Sequence, residues 1–305
     1  MRDFPSCFSE NGVQVADASG KSLGISRSSP QNLVTCIHQC KLLGRTCHVT
    51  IVWSRNLMGH CLSVEIDDLF HRCLCKVDVR PSLFSKRKGS KCFEVYSSRI
   101  DLYWDLSAAT FGSGPEPLEG YYIAVVCRGE IVLFVGDLKK EALKKTNAIP
   151  SNSSPFFVSK REHLFGKRVY GTKAQFWDNG QIHELKIECD THDIDDPSLM
   201  IHIDRKPVMQ VNHIHWKFRG NFTILVDGLP VEVLWDVYNW FFGSAGYGNA
   251  VFVFWSCQSA EKLWRSPNWD DEYYVHSLLS SAGYGESKKQ TGPDFSLVLY
   301  AWKNE

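Results

Sequence analysis

The sequence predicts an all-β, antiparallel fold: a β-sandwich, or a barrel-like closure, built from two duplicated β-units with one short helix between them. Three observations carry this. Strand-like segments of alternating apolar and polar residues follow one another at intervals of roughly 8–12 residues, separated by turn signals, which is the pattern of a sandwich or barrel. Aromatic residues make up 13% of the chain, ten of them Trp, and such residues suit strands. The third observation is an internal repeat. Residues 86–113 align without a gap on residues 217–244, at a constant offset of 131. Lys86, Gly89, Val95, Trp104, Asp105, Phe111, Gly112 and Ser113 meet Lys217, Gly220, Val226, Trp235, Asp236, Phe242, Gly243 and Ser244. That is eight identities in 28 positions, where ordinary residue frequencies give roughly two by chance. Upstream, Leu62, Val64, Ile66 and Asp67 fall on Leu199, Ile201, Ile203 and Asp204 at an offset of 137, and Gly44, Val49 and Ile51 fall on Gly180, Leu185 and Ile187 at 136. A period this long marks a duplicated domain or half-domain, not a solenoid. The offset drops by about six between the third and fifth strands, which implies a difference in loop length.

Taken in order, residues 1–30 are rich in Ser and Gly and read as a mobile N-terminal arm. The first β-unit, 31–136, opens with Val34, Cys36, His38 and Cys40 on one strand face, turns at Leu42-Leu43-Gly44-Arg45, and returns with Cys47, Val49, Ile51 and Trp53 on one face. Strands around Leu62 to Ile66, Cys73 to Val79, Cys92 to Val95 and Ile100 to Asp105 follow, then a hairpin around Arg128-Gly129. A helix is predicted over residues 137–145, with Asp137 at its N-cap and lysines at its end, where they suit the helix dipole. This helix and the Ser-rich stretch after it, 137–160, separate the copies. The second β-unit, 161–257, reads as three hairpins and a last strand. Residues 168–177 pair with 181–189 across Asp178-Asn179-Gly180, 198–203 with 208–216, and 221–226 with 231–237. A polar segment and a closing strand, 258–305, complete the chain.

Hydrophobic residues are 44% of the 305, enough for a substantial core, and 34 basic residues balance 34 acidic ones. A neutral chain is not expected to bind nucleic acid, which calls for a basic surface. The start, Met1-Arg2-Asp3-Phe4-Pro5, holds no apolar leader, and no apolar run is long enough to span a membrane. A cytoplasmic protein, neither secreted nor membrane-spanning, is therefore expected, with its eleven cysteines as free thiols.

Little in the chain points to chemistry. There is no Gly-x-Ser-x-Gly elbow, phosphate loop or dinucleotide fingerprint, so no enzyme, catalytic residue or cofactor is expected. His71-Arg72-Cys73-Leu74-Cys75 places three metal-capable side chains on one strand face, with Cys36 and Cys40 able to join them. Zinc sites, however, use Cys-x-x-Cys knuckles, and none is present, so no metal is expected. His213-Ile214-His215 and the aspartates at 190, 193, 195 and 196 likewise lack a ligand frame. The repeat signature Trp104, Asp105, Phe111, Gly112 and Trp235, Asp236, Phe242, Gly243 reads as structural, with Trp in the core and Asp capping a turn. The candidate partner-binding residues are basic: Lys86, Arg87, Lys88 and Lys91 in the first copy, Lys217 and Arg219 in the second, suited to an acidic protein surface or anionic lipid.

Several longer motifs carry a resemblance. They include Arg2-Asp3-Phe4-Pro5-Ser6-Cys7-Phe8, Asn32-Leu33-Val34-Thr35-Cys36, Lys86-Arg87-Lys88-Gly89-Ser90-Lys91, Trp104-Asp105-Leu106-Ser107 and Phe111-Gly112-Ser113-Gly114-Pro115-Glu116-Pro117. Phe165-Gly166-Lys167-Arg168, Lys217-Phe218-Arg219-Gly220-Asn221 and Val231-Glu232-Val233-Leu234-Trp235-Asp236-Val237 continue the set. Over residues 1–258 and the last strand the chain resembles the plant proteins grouped as "domain of unknown function 868", while residues 259–294 depart from their pattern. The resemblance implies no catalytic residues. It also implies an adaptor role, since some members bind the active form of plant Rho-type small GTPases at the cell cortex. The expected function is a non-enzymatic plant adaptor whose partner is a protein, a Rho-type small GTPase in the first instance. The alternatives are a carbohydrate- or small-ligand-binding sandwich, with Trp240, Tyr247 and Tyr284 as a stacking platform, and a peripheral binder of anionic membrane.

Overall fold

Each copy folds as a pair of four-stranded meanders. A computed structural model describes residues 32–80, 87–177, 180–190, 197–243, 248–256 and 294–303. In the first copy β1 (Asn32–Leu42), β2 (Arg45–Asn56), β3 (Gly59–Asp68) and β4 (Cys73–Val79) form one antiparallel meander. The second is β5 (Lys88–Val95), β6 (Ser98–Asp105), β9 (Tyr122–Cys127) and β10 (Glu130–Gly136), with the short pair β7 (Thr110–Phe111) and β8 (Pro117–Glu119) between β6 and β9. Helix α1 (Lys139–Thr146), the short β11 (Ile149–Pro150) and β12 (Phe156–Gly166) lead to the second copy. There β13 (Val169–Gln175), β14 (Ile182–Asp190), β15 (Ser198–Ile203) and β16 (Lys206–Val211) form one meander. The other is β17 (Arg219–Val226), β18 (Leu229–Asp236), β19 (Asn249–Ser256) and β20 (Phe295–Lys303), with α2 (Tyr238–Phe242) after β18.

The copies are fused through β12, which lies between β1 and β20 in a nine-stranded sheet ordered β17-β18-β19-β20-β12-β1-β2-β3-β4. A sheet ordered β11-β10-β9-β6-β5 packs on its β1–β4 half, and the β13–β16 sheet packs on its β17–β20 half. Among the described residues no sheet closes into a barrel; the fold is an all-β sandwich. The first core joins Val49, Ile51, Trp53 and Val64 to Ile100, Leu102, Ile123 and Leu133, and the second joins Leu185, Ile187 and Ile201 to Val233, Phe252, Phe254 and Leu299. Strict alternation in β2 and β14 gives each one buried face. β9 is buried on both faces because Ala142 of α1 covers Tyr122, Ala124 and Val126. Residues in register on neighbouring strands share a face. The pairings Val34–Glu162–Leu299 and Cys36–Lys160–Leu297 therefore put both cores on the same face of the nine-stranded sheet.

The difference in repeat offset sits in one turn. Ile66 pairs with Cys75, nine residues on, whereas its counterpart Ile203 pairs with Lys206, three residues on, a difference of six. Among the described residues, five two-residue hairpin turns have positive φ at both positions: Leu43-Gly44, Tyr96-Ser97, Arg128-Gly129, Asp204-Arg205 and Asp227-Gly228.

Three expectations change. Helix α1 starts at Lys139 with Leu138 in the N-cap position and no side-chain cap. Asp137 instead accepts the N–H groups of Gly120 and Tyr121, each at 3.0 Å, and so anchors the entry to β9. The stretch read as linker contains the start of β12, the strand that splices the two copies. The strand expected over 208–216 ends at Val211. The Trp216 and Lys217 N–H groups then turn back to the His213 carbonyl, so His213 and His215 share no strand face. The N-terminal arm and the polar segment 258–293 lie outside the described residues. Among the described residues no helix is long and apolar enough to cross a membrane.

Candidate functional site

The Trp-Asp repeat builds the same hairpin end twice. Gly89 faces Trp104 across β5–β6, and Gly220 faces Trp235 across β17–β18. Each indole lies against its glycine: a Cβ would meet Trp104 Cζ2 at 2.8 Å from Gly89, and Trp235 Cζ2 at 2.3 Å from Gly220. Trp235 is buried and donates Nε1–H to the Lys217 carbonyl at 2.9 Å; Trp104 packs half-buried on the first core. Asp105 and Asp236 each accept a backbone N–H two residues on, from Ser107 and Tyr238, at 2.9 Å. The Leu106 and Val237 N–H groups reach the Arg87 and Phe218 carbonyls, both at 2.8 Å. These contacts explain why Gly, Trp and Asp recur at fixed spacing. Gly220→Ala is expected to cost about 1–2 kcal/mol through overpacking, read as a lower denaturant midpoint with an unchanged slope; no loss would mean the indole swings aside freely.

The Phe-Gly half of the signature diverges between copies. Phe111 stacks on His60 at 3.8 Å, and Gly112 lies beside Leu118. Phe242 is exposed, and Gly243 lies so close to Asn239 that a Cβ would meet its carbonyl oxygen at 2.5 Å. That exposure belongs to a larger aromatic surface. Phe218, Tyr238 and Phe242 contact one another with ring centroids 5.0–5.8 Å apart. Trp216, two residues before Phe218, is 78% exposed, and Phe222 on β17 is 52% exposed. The Arg219 guanidinium lies 5.8 Å from the Phe218 ring and 5.7 Å from the Tyr238 ring, held by Asp236 at 2.9 Å. Lys217 is exposed between Trp216 and Phe218.

Of the six candidate basic residues, Lys217 and Arg219 therefore border this surface, at the start of β17, the edge of the nine-stranded sheet. Arg87, Lys88 and Lys91 are exposed on or beside β5, an edge of the five-stranded sheet. Lys91 donates to the Lys76 carbonyl at 3.3 Å. Lys86 lies outside the described residues. The two sets occupy different sheets and do not form one patch. Charge patterning picked out Lys217 and Arg219 but not the rings around them, which look like core residues in a one-dimensional reading.

Trp240 is no stacking platform. It is buried, stacks on Tyr170 at 5.2 Å and donates Nε1–H to the Ala301 carbonyl at 2.9 Å. Tyr247 and Tyr284 lie outside the described residues. Nor do His71, Cys73 and Cys75 share a face. A bulge between Ile66 and Asp67 sends Cys75 into the core and leaves Cys73 exposed, its thiol within 4.8 Å of Glu65 and Asp67 oxygens. Burial and those carboxylates push the Cys73 thiol up to about 11, so it stays protonated at neutral pH, while Lys76 pairs with Glu65 at 2.9 Å. Cys36 faces Glu116 rather than the other cysteines, and burial, then Glu116, raises its pKa as well.

Between the two cores, Lys160 of β12 pairs with Glu162 at 2.8 Å and with Glu116 at 3.1 Å. Thr172 of β13 donates its hydroxyl to Glu162. The loop Phe111-Gly112-Ser113-Gly114-Pro115-Glu116-Pro117 thus delivers one carboxylate of the first copy onto the splice strand.

No curated protein and no solved structure matches the chain. Residues 29–303 match a family model described as plant protein of unknown function (DUF868), and because that match runs through both copies and the strand between them, the chain belongs to this family of plant proteins.

Proposed function

We propose that the chain is a non-enzymatic adaptor that binds a partner protein through the aromatic and basic surface at the β17 edge. The observation that supports this is the cluster of Phe218, Tyr238 and Phe242 bordered by Arg219, with the exposed Trp216 and Lys217 just before Phe218 in the chain. Exposed aromatic anchors with Arg at their rim are the composition of binding hot spots. Among the described residues β17 also ends its sheet, and an edge strand is a place where an incoming strand can add. The resemblance directs the choice of first partner to the GTP-bound form of a plant Rho-type small GTPase, with the adaptor working in the cytoplasm at the cell cortex.

The purified protein should bind such a GTPase loaded with a non-hydrolysable GTP analogue better than the same GTPase loaded with GDP. Trp216→Ala combined with Phe242→Ala should weaken binding at least about tenfold, as expected of hot-spot side chains. Arg219→Glu should act mainly on the association rate and its salt dependence. Charge reversal at Arg87 and Lys88, on the other sheet, should leave affinity unchanged. Equal binding of both nucleotide forms would remove the effector reading. Sensitivity to Arg87 and Lys88 in place of Trp216 and Phe242 would move the surface to β5.

A further inference from the structure

The turn that lengthens the first copy by six residues lines a cavity. Between β3 and β4 it brings Asp68, Leu69, Phe70 and Leu74 to a cleft of about 320 Å³ at the end of the first sandwich. Leu42, Val95 and Ile100 form its apolar wall. Arg45 and Tyr96 also line it, the Arg45 guanidinium standing 4.5 Å from the Tyr96 ring centroid. Arg72 lies over the same ring at 5.6 Å and donates to the Tyr96 hydroxyl. Asp68 neutralises Arg72 at 3.2 Å and accepts the Phe70 and Arg72 N–H groups at 2.9 and 3.0 Å, which fixes the turn. Among the described residues Arg45 has no carboxylate within salt-bridge distance. Among the described residues the cleft therefore joins an apolar wall to the Arg45 guanidinium, which has no salt-bridge partner there, while the Asp68 carboxylate in its lining is taken up by Arg72.

The second copy builds the same place differently. The repeat offsets carry Cys47 onto His183, Asp67 onto Asp204 and Tyr96 onto Asp227. His183 is buried, with Nδ1 2.7 Å from Asp204 and Nε2 3.0 Å from Asp227, so an Asp–His–Asp clip ties three hairpins together across that end. The first copy has neither the imidazole nor the second carboxylate, and its longer turn stands around the opening instead. Its β5–β6 turn is also a poor one. Asp227-Gly228 suits a turn with positive φ at both positions, whereas Tyr96 and Ser97 hold φ of 49° and 58°, where a Cβ is strained. Strain of this kind persists only where surrounding contacts over-determine the backbone, and here the Tyr96 ring is in contact with two guanidinium groups.

We propose that this cleft binds a small amphipathic anion, its apolar body against Leu42, Val95 and Ile100 and its carboxylate-type group at Arg45. Guanidinium forks match such anions well. The volume lies at the lower end of ligand pockets, which run from roughly 300 to 1,000 Å³, and so fits one or two fused rings better than a lipid chain. The proposal does not depend on the adaptor reading.

The test uses the full chain and two dyes of the same shape: anilinonaphthalene sulfonate, whose sulfonate stands in for the carboxylate, and uncharged phenyl-naphthylamine. The sulfonate should bind saturably at one equivalent by calorimetry. Arg45→Gln should weaken it at least about tenfold and leave the uncharged dye unchanged. Leu69→Trp, which fills the cleft, should abolish both, with a melting curve confirming the fold. Trp216→Ala should change neither. Absence of a saturable site, equal effects of Arg45→Gln on both dyes, or loss of binding in Trp216→Ala would overturn the proposal.

Discussion

Lys160→Met is expected to destabilise the protein by about 3 kcal/mol, because it would strand the buried carboxylate of Glu162 and the half-buried one of Glu116 at the junction of the two copies. The Lys160 and Glu162 side chains are only 15% and 8% exposed, and Glu116 is 33% exposed. Burial pulls the lysine pKa down, but Glu162 and Glu116 outweigh it and hold the pKa above the ordinary value, so the ammonium keeps its charge. Without it, Glu162 keeps the Thr172 hydroxyl but loses its counter-charge, and Glu116 loses the contact that holds its loop on β12. Such networks cost most when broken in half; replacing every member by apolar groups of similar volume is far milder. Lys160→Met combined with Glu162→Leu and Glu116→Gln should therefore recover much of the loss. Denaturant midpoints of the single and triple exchanges at neutral pH would read this. A single exchange costing under about 1 kcal/mol would mean that water already screens the cluster, as at surface pairs.

Lys160 also marks where the sequence stops being legible. Hairpins whose turns are written in the chain, such as Arg128-Gly129 and Asp227-Gly228, could be placed from residues alone, because the turn residues and the two-residue period agree. The duplication was readable for the same reason: Gly, Trp and Asp each answer a contact within one hairpin. What could not be read depends on partners far along the chain. Asp137 looked like a helix cap, but its oxygens are taken by Gly120 and Tyr121, which come close only because Gly136 at φ 114° lets the backbones touch. β12 reads poorly as a strand because Ser159, Lys160, Arg161 and Glu162 are polar, and their burial follows from its place between β1 and β20. The bulge before Asp67 moves Cys73 to the opposite face from Cys75, a one-residue shift that no periodicity argument can foresee. Lys217 and Arg219 were visible as charges, but their aromatic surroundings required knowing which rings the core leaves out.

His183 should make the second sandwich lose stability as pH rises through neutrality. Burial pulls its pKa down, but hydrogen bonds to Asp204 and Asp227 and the charge on both outweigh that, so the folded-state pKa stands above the ordinary 6.5. A group whose pKa rises on folding contributes stability that is complete below its unfolded pKa and fades as pH climbs through the folded one. The clip is therefore strongest below pH 6.5 and weakens above it, once the imidazole is neutral and donates only one of its two hydrogen bonds. Two charge-assisted hydrogen bonds would contribute about 1.5–3 kcal/mol each in full burial. The Asp204 and Asp227 side chains are 50% and 38% exposed, however, so solvent screening reduces the pair to about 2–3 kcal/mol in total. His38 and His163 act in the opposite sense. Burial lowers each to about 4, so they favour the folded state above 6.5 and cost stability as pH falls from there. The intact protein alone would mix these slopes, and the difference between it and His183→Gln isolates the clip. Asp204, held below its usual range by the His183 hydrogen bond, does not titrate in this window. Stability measured by denaturant at several pH values from 6 to 9 should show the difference greatest at the acid end and shrinking steadily upward. A difference that is flat, or that grows with pH, would show that His183 is held neutral and that the clip is an ordinary hydrogen-bonded pair.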